Sequence, residues 1–124
     1  PKPKRYLSDI ARIAEQSITE ITAEDLAGIS SISVCAFYSC KSLTKVILPD
    51  AIKTIGNNAF DWCEELKEIY LPETPPTITN ANAFGTINMP DRKFYCKSQE
   101  SLDAYKAIPL WSDVAGLANF IVKQ

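Results

Sequence analysis

Apolar residues recur in a fixed order along this chain. When the sequence is compared with itself at a shift of 23 residues, Leu43 falls on Leu66 and Val46 falls on Ile69. Around these positions apolar and polar residues alternate, as they do in a β-strand that buries one face. A proline follows the alternating run in both copies, and proline is suited to the end of a strand. The pattern predicts one short strand in each repeat, with a loop after it.

Further copies of the repeat lie on both sides of these two. Phe37 precedes Phe60 by the same 23 residues, and Phe84 follows Phe60 by 24. Residues 18–21 match the strand around Val46 at a shift of 25, so two extra residues lie in the first repeat. A period in the low twenties is too short for repeats of paired helices and lies within the range of leucine-rich repeats. Each repeat is therefore predicted to form one coil.

One coil cannot bury its own apolar residues, so neighbouring coils must stack with equivalent residues above one another. Stacking predicts buried rows, of which the clearest contains Phe37, Phe60 and Phe84. Equivalent strands then form a parallel sheet along one side of the stack. The predicted fold class is α/β: a short right-handed leucine-rich-repeat solenoid with a parallel β-sheet on one face and small helical caps at both ends.

A longer motif makes the repeat more specific. The string I-x-x-I-G-x-x-A-F-x-x-C-x-x-L-x-x-V-x-L-P runs from Ile52 through Pro72, with Ile69 at the valine position. This pattern resembles the BspA-like class of bacterial leucine-rich repeats, over roughly residues 17–112. Ser33 and Cys96 depart from the motif, at its glycine and its last apolar position. The resemblance implies a surface or secreted protein of host-associated bacteria that binds other proteins, without shared catalytic residues.

The repeat and its flanks predict one domain over residues 1–124. We interpret residues 1–6 as a linker, 7–17 as an N-terminal helix, 18–97 as about four coils and 98–124 as a C-terminal cap. No apolar run approaches the roughly 20 residues of a transmembrane helix. The chain begins with proline rather than methionine. We expect a secreted or cell-surface protein, with a lipid anchor on a missing N-terminal segment as one option.

Charge and composition exclude several classes of function. The formal net charge is -2, so the chain has no basic field for a nucleic acid or an anionic membrane surface. Histidine is absent, which removes the commonest general base and the commonest zinc ligand. We therefore predict no catalytic residue, no cofactor, no metal site and no enzyme activity.

Cysteines and carboxylates are the remaining residues that could carry chemistry. Cys40 and Cys63 occupy the same position in successive coils, where cysteine acts as a small apolar core residue. The four cysteines contain no C-x-x-C pair, and we expect free thiols, with Cys35 the most exposed. Carboxylates such as Asp50 and Asp61 are expected in solvated turns, without the cleft that acid/base catalysis requires.

The polar side of the predicted sheet is the candidate functional surface. Aligned repeats place one row of alternating charge, which consists of Glu20, Lys45, Glu68 and Lys93. Such a row is also what a stable sheet favours, because opposite charges become neighbours. A second row consists of Thr22, Ile47, Tyr70 and Tyr95. Exposed tyrosines anchor interfaces, although tyrosine is also a good strand former. The predicted ligand-binding face comprises Ile47, Tyr70, Tyr95, Lys45, Glu68 and Lys93.

Three functions fit this surface. The first is a protein-binding or adhesion module, whose partner is another protein of the host or of the bacterial surface. The second is a carbohydrate-binding module, in which the tyrosines stack on the sugar rings of a glycan. The third is a structural repeat cap of a larger surface protein, without a ligand of its own. A nucleic acid is not expected as a partner.

Overall fold

Short strands make up most of the regular structure in this computed structural model, which describes residues 18–85, 89–115 and 119–123. The strands of these residues are β1 (Glu20–Ile21), β2 (Ser31–Ile32), β3 (Lys45–Ile47), β4 (Thr54–Ile55), β5 (Glu68–Tyr70), β6 (Thr77–Ile78), β7 (Lys93–Cys96) and β8 (Phe120–Val122). A 3-10 helix at Ala81–Phe84 precedes β7, and two α-helices follow it, α1 (Gln99–Lys106) and α2 (Pro109–Ala115). The predicted linker and N-terminal helix lie outside the described residues.

The described strands form two parallel sheets. β1, β3, β5, β7 and β8 form a five-stranded sheet in that order, and β2, β4 and β6 form a three-stranded sheet. Val46 pairs with Ile69, as the shift of 23 predicts, and Ile21 pairs with Val46, as the shift of 25 predicts. The alternation of apolar residues predicts only the first sheet, because strands of two residues are too short to show a period.

The predicted phenylalanine row is present in the core. The ring centroids of Phe37 and Phe60 are 5.2 Å apart, and those of Phe60 and Phe84 are 5.1 Å apart. Both pairs are stacked, with angles of 14° and 6° between the ring planes. The insertion of one residue before Phe84 therefore leaves the row intact. This row confirms that successive coils lie directly on one another.

Successive coils also approach closely in their turns. The backbone N–H of Phe37 donates to the carbonyl of Ala59 at 2.7 Å, which links equivalent turns of two coils. At Gly56 the two coils leave no room for a side chain, since an added Cβ would lie 2.5 Å from the backbone nitrogen of Val34. The glycine of the motif therefore marks a position where one backbone lies against the next.

The four cysteines are thiols outside any disulfide, and three of them belong to the core. Cys40, Cys63 and Cys96 are buried, and Cys35 is exposed, as predicted. The thiol of Cys63 donates to the carbonyl of Phe37 at 3.2 Å, within the same stack of coils.

A buried arginine joins the last coils. The Arg92 guanidinium donates to the carbonyls of Leu66, Phe84 and Cys63 at 2.7 Å, 2.8 Å and 3.1 Å. Two of these carbonyls, those of Cys63 and Leu66, belong to one turn, and the third, that of Phe84, belongs to the next coil, so one side chain joins the two coils. Arg92 thereby ties the segment before β7 to the coil beneath it.

The residues after β7 pack on the last coil and then return to the sheet. Tyr105 in α1 donates its hydroxyl to the carbonyl of Pro72 at 2.8 Å, and Trp111 in α2 donates its indole N–H to Pro76 at 2.9 Å. β8 then pairs with β7 in parallel. The first two residues of β8 face opposite sides of the sheet. Because side chains alternate along a strand, Phe120 is buried and Ile121 lies on the opposite face.

Candidate functional site

The six residues of the predicted face lie together on the side of the five-stranded sheet that points away from the core, here called the outward face. In β3 and β5 the central residue is buried and its two neighbours are half-buried. The register places Lys45 beside Glu68 and Glu68 beside Lys93. In the next row, it places Ile47 beside Tyr70 and Tyr70 beside Tyr95.

Two tyrosines and two lysines form a continuous stack across this face. The rings of Tyr70 and Tyr95 stack with centroids 4.8 Å apart. Lys45 Nζ lies 5.3 Å from the centroid of the Tyr70 ring, and Lys123 Nζ lies 5.0 Å from that of Tyr95. Both distances are in the range of cation–π contacts. We call these four residues the lysine–tyrosine stack.

The strand order determines which parts of the rings remain open. Tyr70 and Tyr95 stand on neighbouring strands, with Lys45 on the far side of one and Lys123 on the far side of the other. Each ring thus has one face against the other ring and one face towards an ammonium group. The ring edges, and the hydroxyl oxygens as acceptors, are left for a ligand. Aromatic edges carry positive partial charge, so the stack presents mainly electropositive groups.

The hydroxyl of Tyr70 has a fixed partner. It donates to Glu68 Oε1 at 3.2 Å. Burial, followed by this hydrogen bond and the nearby carboxylate, raises the pKa of Tyr70 above its ordinary value. Tyr70 is therefore a neutral phenol at physiological pH, and its orientation is held from within the same strand.

A shallow depression lies beside the stack. Its volume is about 170 Å³, and its lining is mostly apolar. The side chains that matter for a ligand are Ile47, Pro49, Tyr70, Tyr95, Lys97 and Lys123. The depression therefore combines an apolar floor with two ammonium groups at its margin.

The two lysines at this margin differ in their partners. Lys97 Nζ lies 2.9 Å from Asp50 Oδ1 in an exposed ion pair, and this hydrogen bond lowers the pKa of Asp50. Lys123 has the Tyr95 ring as its partner and no carboxylate among the described residues. Its charge is therefore the less compensated of the two.

The structure departs from the predicted site at both ends of the tyrosine row. β1 ends at Ile21, and the backbone N–H of Thr22 turns to Asp25 Oδ2 at 2.9 Å, so the ladder stops before Thr22. At the other end β8 adds Ile121 beside Tyr95 and brings in Lys123. The short run of aromatic and β-branched residues at Phe120–Val122 was the one sequence signal for this strand.

One of the carboxylates expected in solvated turns is not solvated. Asp61 is only 5% exposed. Its carboxylate accepts hydrogen bonds from the Trp62 backbone N–H and from Asn58 Nδ2, each at 2.9 Å. Asp61 therefore holds a turn of the coil in shape, whereas Asp50 is exposed as predicted.

The described residues contain neither a candidate metal site nor a candidate membrane span. Within residues 18–85, 89–115 and 119–123, no group of three or more His, Cys, Asp or Glu side chains is placed to hold a metal ion. No helix in these ranges has the length and apolar character needed to cross a membrane.

Comparison with known families agrees with the stacked coils. A model of the BspA type leucine rich repeat region matches residues 13–105 in six copies, which is most of the chain. The chain belongs to the BspA-type leucine-rich-repeat family. The resemblance inferred from residues 52–72 is thereby confirmed. No curated protein and no solved structure matches this BspA-type chain significantly.

Proposed function

We propose that this BspA-type chain is a non-catalytic binding module of a bacterial cell-surface or secreted protein, which binds another protein through its outward face. The observation that carries this proposal is the stacked pair Tyr70 and Tyr95 beside an apolar depression. Tyrosines that are half-buried before binding lose little conformational freedom on binding and bury a large area. They are the type of residue that dominates the energy of protein interfaces.

Placement on the cell surface or outside the cell rests on the family. BspA-type repeats are typical of surface and secreted proteins, and their stacked coils offer an extended face rather than a closed pocket. The absence of a catalytic role rests on the sequence, since it has no histidine that could pair with a serine or cysteine nucleophile.

A carbohydrate ligand is less well supported than a protein. Sugar rings bind aromatic side chains mainly through the ring faces, and all four faces of Tyr70 and Tyr95 have neighbours. A sugar would have to displace Lys45 or Lys123 before it could stack. Contacts with the edges and hydroxyls of the rings do not require this displacement, and the polar groups of a protein partner can make them.

The test is a binding array of extracellular-matrix proteins, bacterial surface proteins and glycans, probed with the chain and with the double variant Tyr70→Ala/Tyr95→Ala. We expect the chain to bind one or more proteins and the double variant to bind them at least about tenfold more weakly, because interface tyrosines contribute more than about 1 kcal/mol each. Tyr38→Ala is the matched control, since Tyr38 is an exposed tyrosine on a turn outside the face.

Each alternative has its own outcome in the same array. Binding to glycans alone, lost in the double variant, would support the carbohydrate-binding module. Protein binding that the double variant retains would exclude the outward face as the site. Circular dichroism and urea unfolding of both variants show whether a loss of binding reflects a loss of fold.

A further inference from the structure

Ammonium groups flank the lysine–tyrosine stack on both sides, although the chain as a whole is acidic. The formal net charge of the chain is -2. At the two ends of the lysine–tyrosine stack, the ammonium groups of Lys45 and Lys123 contact aromatic rings. Lys45 has Glu20 and Glu68 beside it in the register, but among the described residues neither ammonium group forms an ion pair with a carboxylate. Steering by this local charge would favour an anionic partner over a neutral or basic one.

Two carboxylates near the stack, Glu68 and Asp50, already have hydrogen-bond or ion-pair partners. Glu68 accepts the hydroxyl of Tyr70 and has Lys93 beside it in the register, on the side away from Lys45. Asp50 is paired with Lys97 and also accepts the backbone N–H of Glu73 at 2.9 Å. Both charges are therefore offset locally, and neither opposes the approach of an anion to the stack.

The depression indicates the size of the apolar group that the ligand inserts. Pockets for drug-sized ligands enclose roughly 300–1,000 Å³. The depression beside Tyr70 and Tyr95 encloses about 170 Å³ and is mainly apolar. It therefore suits one apolar side chain of a longer ligand. Its mainly apolar walls offer few hydrogen-bond partners for the hydroxyls of a polysaccharide.

We propose that the lysine–tyrosine stack binds an extended acidic peptide segment of the partner protein, with one apolar side chain in the depression and a carboxylate at each of Lys45 and Lys123. The inference rests on the proposed function and specifies the partner's chemistry. Lys45 stands on β3, and Lys123 follows β8, three strand positions further on. Three strand spacings span about 14 Å, which an extended peptide covers in about four residues. The two acidic residues are therefore separated by three others.

The experiment uses the whole chain and a fluorescein-labelled, terminally blocked peptide of sequence aspartate-serine-leucine-serine-aspartate. Fluorescence anisotropy gives its Kd for the chain and for the single variants Lys45→Gln and Lys123→Gln. We expect each variant to raise the Kd by about threefold to tenfold, as expected for loss of one charge pair at a partly desolvated interface. Higher ionic strength should raise it further. Lys41→Gln removes an exposed lysine from a distant turn and should leave the Kd unchanged.

Two control peptides separate charge from apolar contact. Replacement of both aspartates by asparagine should abolish the dependence of the Kd on salt. Replacement of the leucine by glycine should raise the Kd and leave its dependence on salt unchanged. Equal binding of the aspartate and asparagine peptides overturns the proposal. It is also overturned if neither lysine variant changes the Kd, if the aspartate peptide does not bind, or if only a sulfated polysaccharide such as heparin binds.

Failure of this inference can be told apart from failure of the proposed function. A protein partner from the array whose binding depends on Tyr70 and Tyr95 but not on Lys45 or Lys123 would leave the proposed function standing and overturn the acidic-peptide ligand. A partner whose binding depends on none of the four residues would overturn both.

Discussion

Single residues set how closely one coil can approach the next. Gly56 lies where a side chain would collide with the backbone of the preceding coil at Val34. Ser33 occupies the equivalent position one coil earlier and is exposed. The glycine of the motif is therefore required at residue 56, where the backbone of the preceding coil leaves no room for a side chain. At residue 33 the side chain is exposed, which leaves room for serine.

Substitution at these two equivalent positions should have different effects. We expect Gly56→Ala to lower the free energy of unfolding by about 2 kcal/mol, because the neighbouring backbone must move to admit the methyl group. Ser33→Ala should change it by less than about 0.5 kcal/mol, since the side chain is exposed. Urea unfolding followed by circular dichroism measures both. Similar values for the two variants would show that the coils do not touch at Gly56.

At the scale of elements, β8 is the part of the structure that matters most for the site. It gives the five-stranded sheet its last strand and brings Lys123 over Tyr95. Its inward residue, Phe120, lies 5.9 Å from the rings of both Phe94 and Tyr105. Removal of the strand would therefore disturb both the core and the lysine–tyrosine stack.

Adjacent residues of β8 should differ in their contribution to stability. We expect Phe120→Ala to cost about 3 kcal/mol, because it leaves a cavity among buried rings. Ile121→Ala should cost less than about 1 kcal/mol, because Ile121 is half-buried on the outward face. Thermal and urea unfolding give both values. A larger cost at Ile121 would mean that the strand pairs one residue out of register, since such a slip exchanges the two faces.

At the scale of the whole molecule, two buried acidic groups, a thiol and a phenol, make the free energy of unfolding depend on pH in the alkaline range. Burial raises the pKa of the Cys96 thiol to about 11. Burial also raises the pKa of Tyr105, well above the ordinary range of a phenol. Both groups lie where β7 and α1 meet, and they ionise at lower pH once the chain unfolds. The unfolded chain therefore loses protons that the folded chain retains, and stability falls as the pH rises.

Comparison with Cys96→Val isolates the contribution of the thiol to this loss. The stability that Cys96 contributes is fully present below pH 8 and is lost between its unfolded pKa, near about 8.5, and its folded pKa. Between pH 8 and pH 11 we expect the chain to lose about 2 kcal/mol more than Cys96→Val does. Urea unfolding under reducing conditions measures both. Parallel pH profiles would show that Cys96 ionises equally well in the folded state.

The sequence repeat explains why much of this fold can be predicted from the sequence alone. Because each coil repeats the same positions at a shift of 23, the pairing of Lys45, Glu68 and Lys93 follows directly from alignment of the copies. The same holds for the phenylalanine row and for the outward position of Tyr70 and Tyr95. Stacked repeats make contacts between neighbours, so a local pattern is sufficient to place them.

The remaining features depend on contacts that no repeat encodes. β8 returns to the sheet after two helices, Arg92 reaches carbonyls of separate turns, and Asp61 is buried beside Gly85 of the next coil. Lys123 reaches the Tyr95 ring only because Phe120 is held by the buried rings of α1 and β7. These contacts join residues with no shared position in the repeat, and their geometry arises only when the chain is packed in three dimensions. The repeat in the sequence therefore determined which residues of β3, β5 and β7 lie on the outward face. The position of Lys123 against the Tyr95 ring was decided only by the tertiary packing of β8.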